Sequence, residues 1–378
     1  MNHRKLRVLV VDDSQLIRAL ISDLLEEASD IEVIGTAADG MEAVRMSRSL
    51  KPDVITLDVQ MPKMDGLQTL DKILEQQPIP VIMVSATTQL GGQITLDALD
   101  RGALDYIAKP EGLKEAETTL RTELIRKIRS VATTDVQRVL KMRRERAEKR
   151  KERRDARSAA GEVRSATKAP TSKTSADLPV SDKCIAIGIS TGGPPALAST
   201  FELLPDGLPP IVIVQHMPAN FTKAFAMRMN SLSKVNIKEA ETGDILKPGH
   251  AYLAPGGFHL EVKRHGRNCG KLLVREGDPV SGHRPSVDVM MTSAAQIYGN
   301  RLLGIVMTGM GRDGSDGCKA VRAGGGFVLG QDEASSDVYG MNKVAFLEGN
   351  VDRQFSLDEA PTLIPAQVRR MWGAACLT

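Results

Sequence analysis

From Leu6 to about Arg129, short apolar runs alternate with longer amphipathic stretches. The runs are Leu6–Val11, Ile31–Thr36, Val54–Leu57, Ile79–Val84 and Leu104–Ile107. Between them lie patterns of helical period, such as Ser14–Ala28, which gathers Leu16, Ile17, Leu20, Ile21, Leu24 and Leu25 on one face. Five strands alternating with helices predict a parallel sheet covered on both sides. The pattern breaks at Asp135–Asp182, where a highly charged run of helical character gives way to Ala, Ser, Thr, Lys and Pro, as in Thr167–Ala176. Such a composition buries too little apolar surface to offset its ordering entropy, and predicts a linker disordered in its C-terminal half. Alternation resumes at Cys184–Ile189 and continues through Ile211–Val214, Leu302–Met307 and Phe327–Leu329. Between about Glu239 and Asp278 the strand-like runs shorten and are punctuated by Pro248-Gly249 and Pro255-Gly256-Gly257, which predicts an antiparallel insertion. The expected organisation is an α/β chain in three parts. Residues 1–130 form a five-stranded parallel domain, 131–182 a linker, and 183–378 a doubly wound, mostly parallel α/β domain with that insertion.

Length agrees with this division, because 378 residues suit two hydrophobic cores better than one. No apolar run approaches the roughly 20 residues that span a bilayer. The apolar run after Met1–Lys5 is too short for the core of a signal peptide, so a cytoplasmic protein is expected. Cys184, Cys269, Cys318 and Cys376 lie far apart and fit neither a disulfide framework nor a zinc site, which predicts reduced, structural thiols. The net charge of +3 conceals an asymmetry: Arg138–Arg157 holds eleven Lys and Arg against four Asp and Glu, a local +7 that leaves the remainder at about −4. A solvated helix of interleaved charges is the favoured reading of that run, ahead of tethering to acidic receptors or an anionic membrane surface. With aromatics at only 3%, specific nucleic-acid binding is not expected.

The first domain carries an acidic constellation. Asp12 and Asp13 follow the first strand, Asp58 the third, Ser85 ends the fourth, and Lys109-Pro110 follows the fifth. Ligands of open parallel sheets gather outside the carboxyl ends of the strands, so these groups should meet at one edge. Three carboxylates together require a cation, and oxygen ligands on a rigid edge favour Mg²⁺. Asp58 is then placed as a nucleophile toward a phosphoryl group, with the metal and Lys109 offsetting charge on the transferring oxygens. Val10-Val11-Asp12-Asp13-Ser14, Asp58-Val59-Gln60-Met61-Pro62 with Asp65-Gly66, Ser85-Ala86 and Lys109-Pro110 resemble the response-regulator receiver family, over roughly residues 5–128. The resemblance implies a flavodoxin-like fold and phosphorylation of Asp58 by a histidine kinase. It also implies Mg²⁺ held by Asp13, Asp58 and the Gln60 carbonyl with Asp12 assisting, and a switch made of Ser85, Lys109 and the aromatic Tyr106.

In the second domain the strand Ile185–Ile189 runs into Ser190-Thr191-Gly192-Gly193-Pro194-Pro195, and Gly188–Gly192 has the G-x-S-x-G spacing of a strand-to-helix turn that exposes a serine oxygen. Alone the motif is weak, since a glycine-rich turn could cradle a phosphate or be merely structural. His216 strengthens it: it ends the next strand, Ile211–Gln215, at the same sheet edge, a placement that His3, His250, His259 and His265 lack. His283, in the polar loop Ser281–Ser286, is a weaker candidate. The strand Leu302–Met307 leads into Thr308-Gly309-Met310-Gly311-Arg312-Asp313-Gly314, where Asp313 can reach the histidine and the Met310 N–H can point into the site. Ser190 as nucleophile, His216 as base and Asp313 as orienting carboxylate then make a hydrolase. The order Ser, His, Asp differs from that of the α/β-hydrolases.

Gly188–Gly193, Gln215–Pro218, Pro248–Pro255, His283–Asp288 and Met307–Gly314 resemble the catalytic domain of the chemotaxis protein-glutamate methylesterases, the CheB family. The likeness covers nearly all of 184–350, and the order of receiver, linker and esterase matches too. It implies removal of methyl groups from glutamates of chemoreceptors, deamidation of glutamines there, and Thr191 and the Met310 amide lining the site. No cofactor is implied for the ester chemistry. The family's unphosphorylated receiver packs over the catalytic cleft. Ile189, where a smaller residue is usual, and the long basic linker depart from the pattern. A receiver driving DNA binding, or a scaffold without catalysis, is the alternative reading.

Overall fold

The computed structural model describes residues 4–85, 89–109, 115–159, 181–267 and 269–373. The N-terminal unit contains β1 (Leu6–Val11), α1 (Gln15–Glu26), β2 (Ile31–Ala37), α2 (Gly40–Leu50), β3 (Val54–Asp58), α3 (Gly66–Gln76), β4 (Val81–Ser85), α4 (Gln89–Arg101), β5 (Asp105–Ala108) and α5 (Glu115–Ala132). Its sheet runs β2-β1-β3-β4-β5, parallel throughout. β3 and β4 are buried along their whole length, as strands covered by helices on both faces must be. Ser14, Asp39 and Asp65 cap the following helices by accepting from the main-chain N–H of Ile17, Glu42 and Gln68. The stripe expected on α1 is narrower than its leucines suggested. Ile21, Leu24 and Leu25 are buried, whereas Leu16 is 66% exposed, because only part of the apolar arc faces the sheet.

The charged run forms one helix, α6 (Val136–Ala159). Val136 and Val139 are buried against the N-terminal core. Arg143 Nη1 donates to the carbonyls of Leu99 (2.6 Å) and Ala103 (3.3 Å), and its Nη2 reaches Asp337 Oδ2 of the C-terminal unit at 2.6 Å. Arg138 donates to the Ala334 and Ser336 carbonyls, both at 3.0 Å, and Arg146 to Asp358 at 3.0 Å and the Ser335 carbonyl at 3.1 Å. The favoured reading of a wholly solvated run is therefore corrected: three of its arginines face an acidic, carbonyl-rich segment that sequence pattern could not place beside them. Ala86, Pro110, Cys376, His3 and the stretch Thr167–Ala176 lie outside the described residues.

The C-terminal unit contains β6 (Cys184–Ile189), α7 (Gly193–Phe201), β7 (Ile211–Gln215), α8 (Ala219–Leu232), β8 (Asn236–Glu239), β9 (His250–Leu253), β10 (His259–His265), β11 (Cys269–Arg275), α9 (Val287–Tyr298), β12 (Leu302–Val306), α10 (Ser315–Ala323), β13 (Phe327–Gln331), α11 (Met341–Leu347), β14 (Arg353–Phe355) and α12 (Ala360–Trp372). Seven strands pair in parallel in the order β14-β13-β12-β6-β7-β9-β8. The antiparallel insertion is the hairpin β10-β11, narrower than the span expected for it. β8 and β9 instead extend the main sheet, since Ala251, Tyr252 and Leu253 are buried and β9 pairs with β7. Cys184, Cys269 and Cys318 are buried and free. Among the described residues no helix is long and apolar enough to cross a membrane.

Candidate active site

Open α/β sheets collect ligands where the strand order reverses. In the N-terminal sheet that point lies between β1, which Asp12 follows, and β3, which ends at Asp58. Carboxylate oxygens of Asp12, Asp13 and Asp58 fall within 4.8 Å of one another. Lys109 Nζ lies 2.7 Å from Asp12 Oδ2 and 2.8 Å from Asp58 Oδ2. Burial raises the Asp58 pKa above the usual carboxylate value, the Lys109 hydrogen bond works against it, and the Asp12 charge adds to it. Burial disfavours the Lys109 ammonium, but hydrogen bonds to Asp12 and Asp58 outweigh it and raise its pKa. The Ser85 carbonyl accepts from the Lys109 N–H at 2.7 Å, and the Gln60 N–H donates to Asp58 Oδ1 at 3.4 Å. Three carboxylates against a single ammonium leave room for a hard divalent cation, and the donor set fits Mg²⁺.

The C-terminal sheet reverses at β6, flanked by β12 and β7. Ser190 follows β6, His216 follows β7, and Asp313 follows β12 after a short loop, so the three reach one rim from adjacent strands. His216 Nε2 donates to Asp313 Oδ2 at 2.7 Å, and His216 Nδ1 has no hydrogen-bond partner among the described residues. The relay expected from Asp313 through His216 to Ser190 is thus formed in its carboxylate half. Gly309 lets the loop after β12 lie against the serine: a Cβ there would sit 2.7 Å from Ser190 Cβ. Met310, next in that loop, is half-buried. Gly192 has φ +77°, which suits glycine, and a Cβ on it would meet Asp337 Oδ2 at 2.6 Å.

Asp313 is fully buried and accepts from Ser286 Oγ (2.8 Å), Val287 N (2.7 Å) and Asp288 N (3.1 Å) as well as from His216. Burial opposes its charge, but His216 and these main-chain donors hold its carboxyl well below the usual range. Asp288 returns the favour across the junction, accepting from Gly314 N at 2.8 Å and Gly317 N at 2.7 Å. Each carboxylate therefore caps the helix start that carries the other. Burial and the neighbouring Asp313 charge push Asp288 up to about 7. The folded chain then holds a proton that the unfolded chain releases at about pH 4, so this group's stabilising contribution is present below that pH and lost as pH rises through 7. Asp288→Asn, an amide in place of the neutral acid, should gain about 2.5 kcal/mol over wild type on going from pH 5 to pH 8, read as about 5–10 °C in Tm. A constant difference between the two proteins at both pH values would contradict this.

The sequence did not reveal how the N-terminal unit sits on this rim. Thr191 Oγ1 donates to Asp105 Oδ2 of β5 at 2.5 Å, and Lys127 Nζ holds the other Asp105 oxygen at 2.9 Å. The Arg126 guanidinium of α5 donates to His283 Nε2. Tyr106 is buried with its ring centroid 4.9 Å from that of Phe221, and Arg228 pairs with Asp97 at 2.6 Å and with Asp100. Ser190 is left 5% exposed. Asp105, Arg126, Ser286 and Asp288 were missed because nothing local marks a residue whose partner lies in another domain or across a helix junction. His283 had a signal in its polar loop, and its ring stacks on His216.

Residues 185–364 match the CheB methylesterase family, and residues 8–121 match the response regulator receiver domain. The chain is 46% identical over 355 residues to a protein-glutamate methylesterase/protein-glutamine glutaminase of Caulobacter vibrioides, covering 93% of this chain and 95% of that one. It is 40% identical over 378 residues to a protein of the same description from Pyrococcus abyssi, covering 99% and 96%. Among solved structures, the Thermotoga maritima CheB methylesterase catalytic domain is 40% identical with a TM-score of 0.48, covering 49% of this chain and 98% of that one.

Proposed function

We infer the reaction from the premise that this chain belongs to the CheB methylesterase family and carries a response regulator receiver domain ahead of the catalytic domain. It is a phosphorylation-activated protein-glutamate methylesterase/protein-glutamine glutaminase, a carboxyl-ester hydrolase of chemotaxis. Relatives named for this enzyme favour that reading over a DNA-binding regulator or an inert scaffold. His216 takes the Ser190 proton as Oγ attacks the side-chain ester carbonyl, and Asp313 orients His216 and stabilises its charged form. The oxyanion is held at the Met310 amide and Thr191. As the C–O bond breaks, His216 returns the proton to the departing methanol, and water then cleaves the acyl-serine to give glutamate. With a glutamine the leaving group is ammonia. The observation that carries the assignment is the 2.7 Å pairing of His216 with a buried Asp313 at the rim where Ser190 ends its strand.

Asp58 accepts phosphate from a histidine kinase, and Asp13, Asp58 and the Gln60 carbonyl, with Asp12 assisting, would hold the Mg²⁺. Bound there, the ion would offset charge on the transferring oxygens, and Ser85, Lys109 and Tyr106 answer to the phosphoryl group. The substrates are methylated cytoplasmic segments of chemoreceptors, so the enzyme works in the cytoplasm at receptor arrays. Because Asp105 and Arg126 cover Thr191 and His283, phosphorylation must favour an arrangement in which they do not. Methanol release from methylated receptor fragments should rise with a small phosphodonor in the wild-type chain and stay flat in Asp58→Ala. Equal wild-type rates with and without the donor would overturn the gating.

A further inference from the structure

We propose that His283 is a positioning residue for this esterase, its ring holding His216 in the plane that keeps one nitrogen on Asp313 and offers the other to Ser190. The proposal rests on the roles given above to Ser190, His216 and Asp313. The two imidazoles are parallel to within 9°, with centroids 3.7 Å apart. Among the described residues His216 is hydrogen-bonded through Nε2 alone, a bond about which the ring can still swing; a flat neighbour in van der Waals contact removes that freedom. His283 is itself fixed. Its main chain exchanges hydrogen bonds with Val280 at 2.9 and 3.1 Å across a tight turn with positive φ at Ser281 and Gly282. The same loop, three to five residues on, supplies Ser286, Val287 and Asp288 to Asp313. One segment thus grips both partners of the nucleophile.

The charge state suits the role. With the N-terminal unit docked, Arg126 donates to His283 Nε2, which requires a lone pair there and a neutral ring. Burial, the adjacent His216 and Arg126 push His283 down to about 2. Two rings stacked this closely cannot both be charged at small cost, so a neutral His283 leaves the catalytic proton to His216.

Steady-state methanol release from the full chain with saturating phosphodonor tests the proposal. His283→Ala should lower kcat about tenfold or more with KM unchanged, and His283→Phe, which keeps a flat ring, should recover most of that loss. If the alanine variant does not fold by thermal unfolding, His283→Gln takes its place. An unchanged kcat in the ringless variant, or a phenylalanine variant no better than it, overturns the proposal. Ser190→Ala in the same assay separates the two levels: methanol release there would mean that the triad assignment, not the stacking, has failed.

Discussion

Ser190→Ala should lose methanol release by about 10³-fold or more while unfolding at the wild-type temperature. The hydroxyl removed is small, and the main-chain bond that seats the residue, Ser190 N to the Thr308 carbonyl at 3.0 Å, survives the substitution. Activity therefore falls for chemical reasons. Because a nucleophile and its base act as a unit, adding His216→Ala should cost little more than the first change alone. Phosphorylation of Asp58 by a small donor should proceed as in wild type, since its carboxylates and Lys109 belong to the other unit. A variant within tenfold of wild type would place the nucleophile elsewhere.

Removing the two receiver groups that enter the catalytic rim should have the opposite effect. In Asp105→Ala with Arg126→Ala, the rate without phosphodonor is expected to rise on the order of 10–100-fold, toward the phosphorylated wild-type level. A hydrogen bond to a charged group contributes about 1.5–3 kcal/mol, and each 1.4 kcal/mol shifts a two-state balance tenfold. The estimate is kept below the simple product because the groups share one interface. Lys127 does not become an orphan charge, for Glu123 remains 3.1 Å away. β5 explains why this contact belongs to the switch: it carries Asp105 and Tyr106, and Lys109, bonded to Asp58, follows it directly. An unstimulated rate unchanged from wild type would sink this account.

Strands were legible because buried parallel strands read as continuous runs of Val, Ile and Leu, and Leu6–Val11 and Cys184–Ile189 emerge with the bounds their sequences gave. The meeting of Ser190, His216 and Asp313 at one rim was legible for a related reason: each lies beyond a strand, and strand ends of one parallel sheet share a rim. The positions of β8 and β9 were less so, since four-residue strands beside Gly and Pro turns carry no mark of their direction. The contact of Asp105 with Thr191 spans 86 residues and two domains, and depends on a docking geometry that no local pattern encodes. Asp288 looks in sequence like any acidic residue in a first helical turn, and only the fold shows that it caps a different helix.

The guanidinium of Arg143 is a rigid planar crossbar with three ends in use. Two nitrogens meet Asp337, and a third holds the carbonyls at the close of α4. Asp337 in turn abuts Gly192, two residues beyond Ser190. The close of α4 and the turn that carries Ser190 are therefore joined from behind by two side chains, Arg143 and Asp337, a link that does not pass through the cleft.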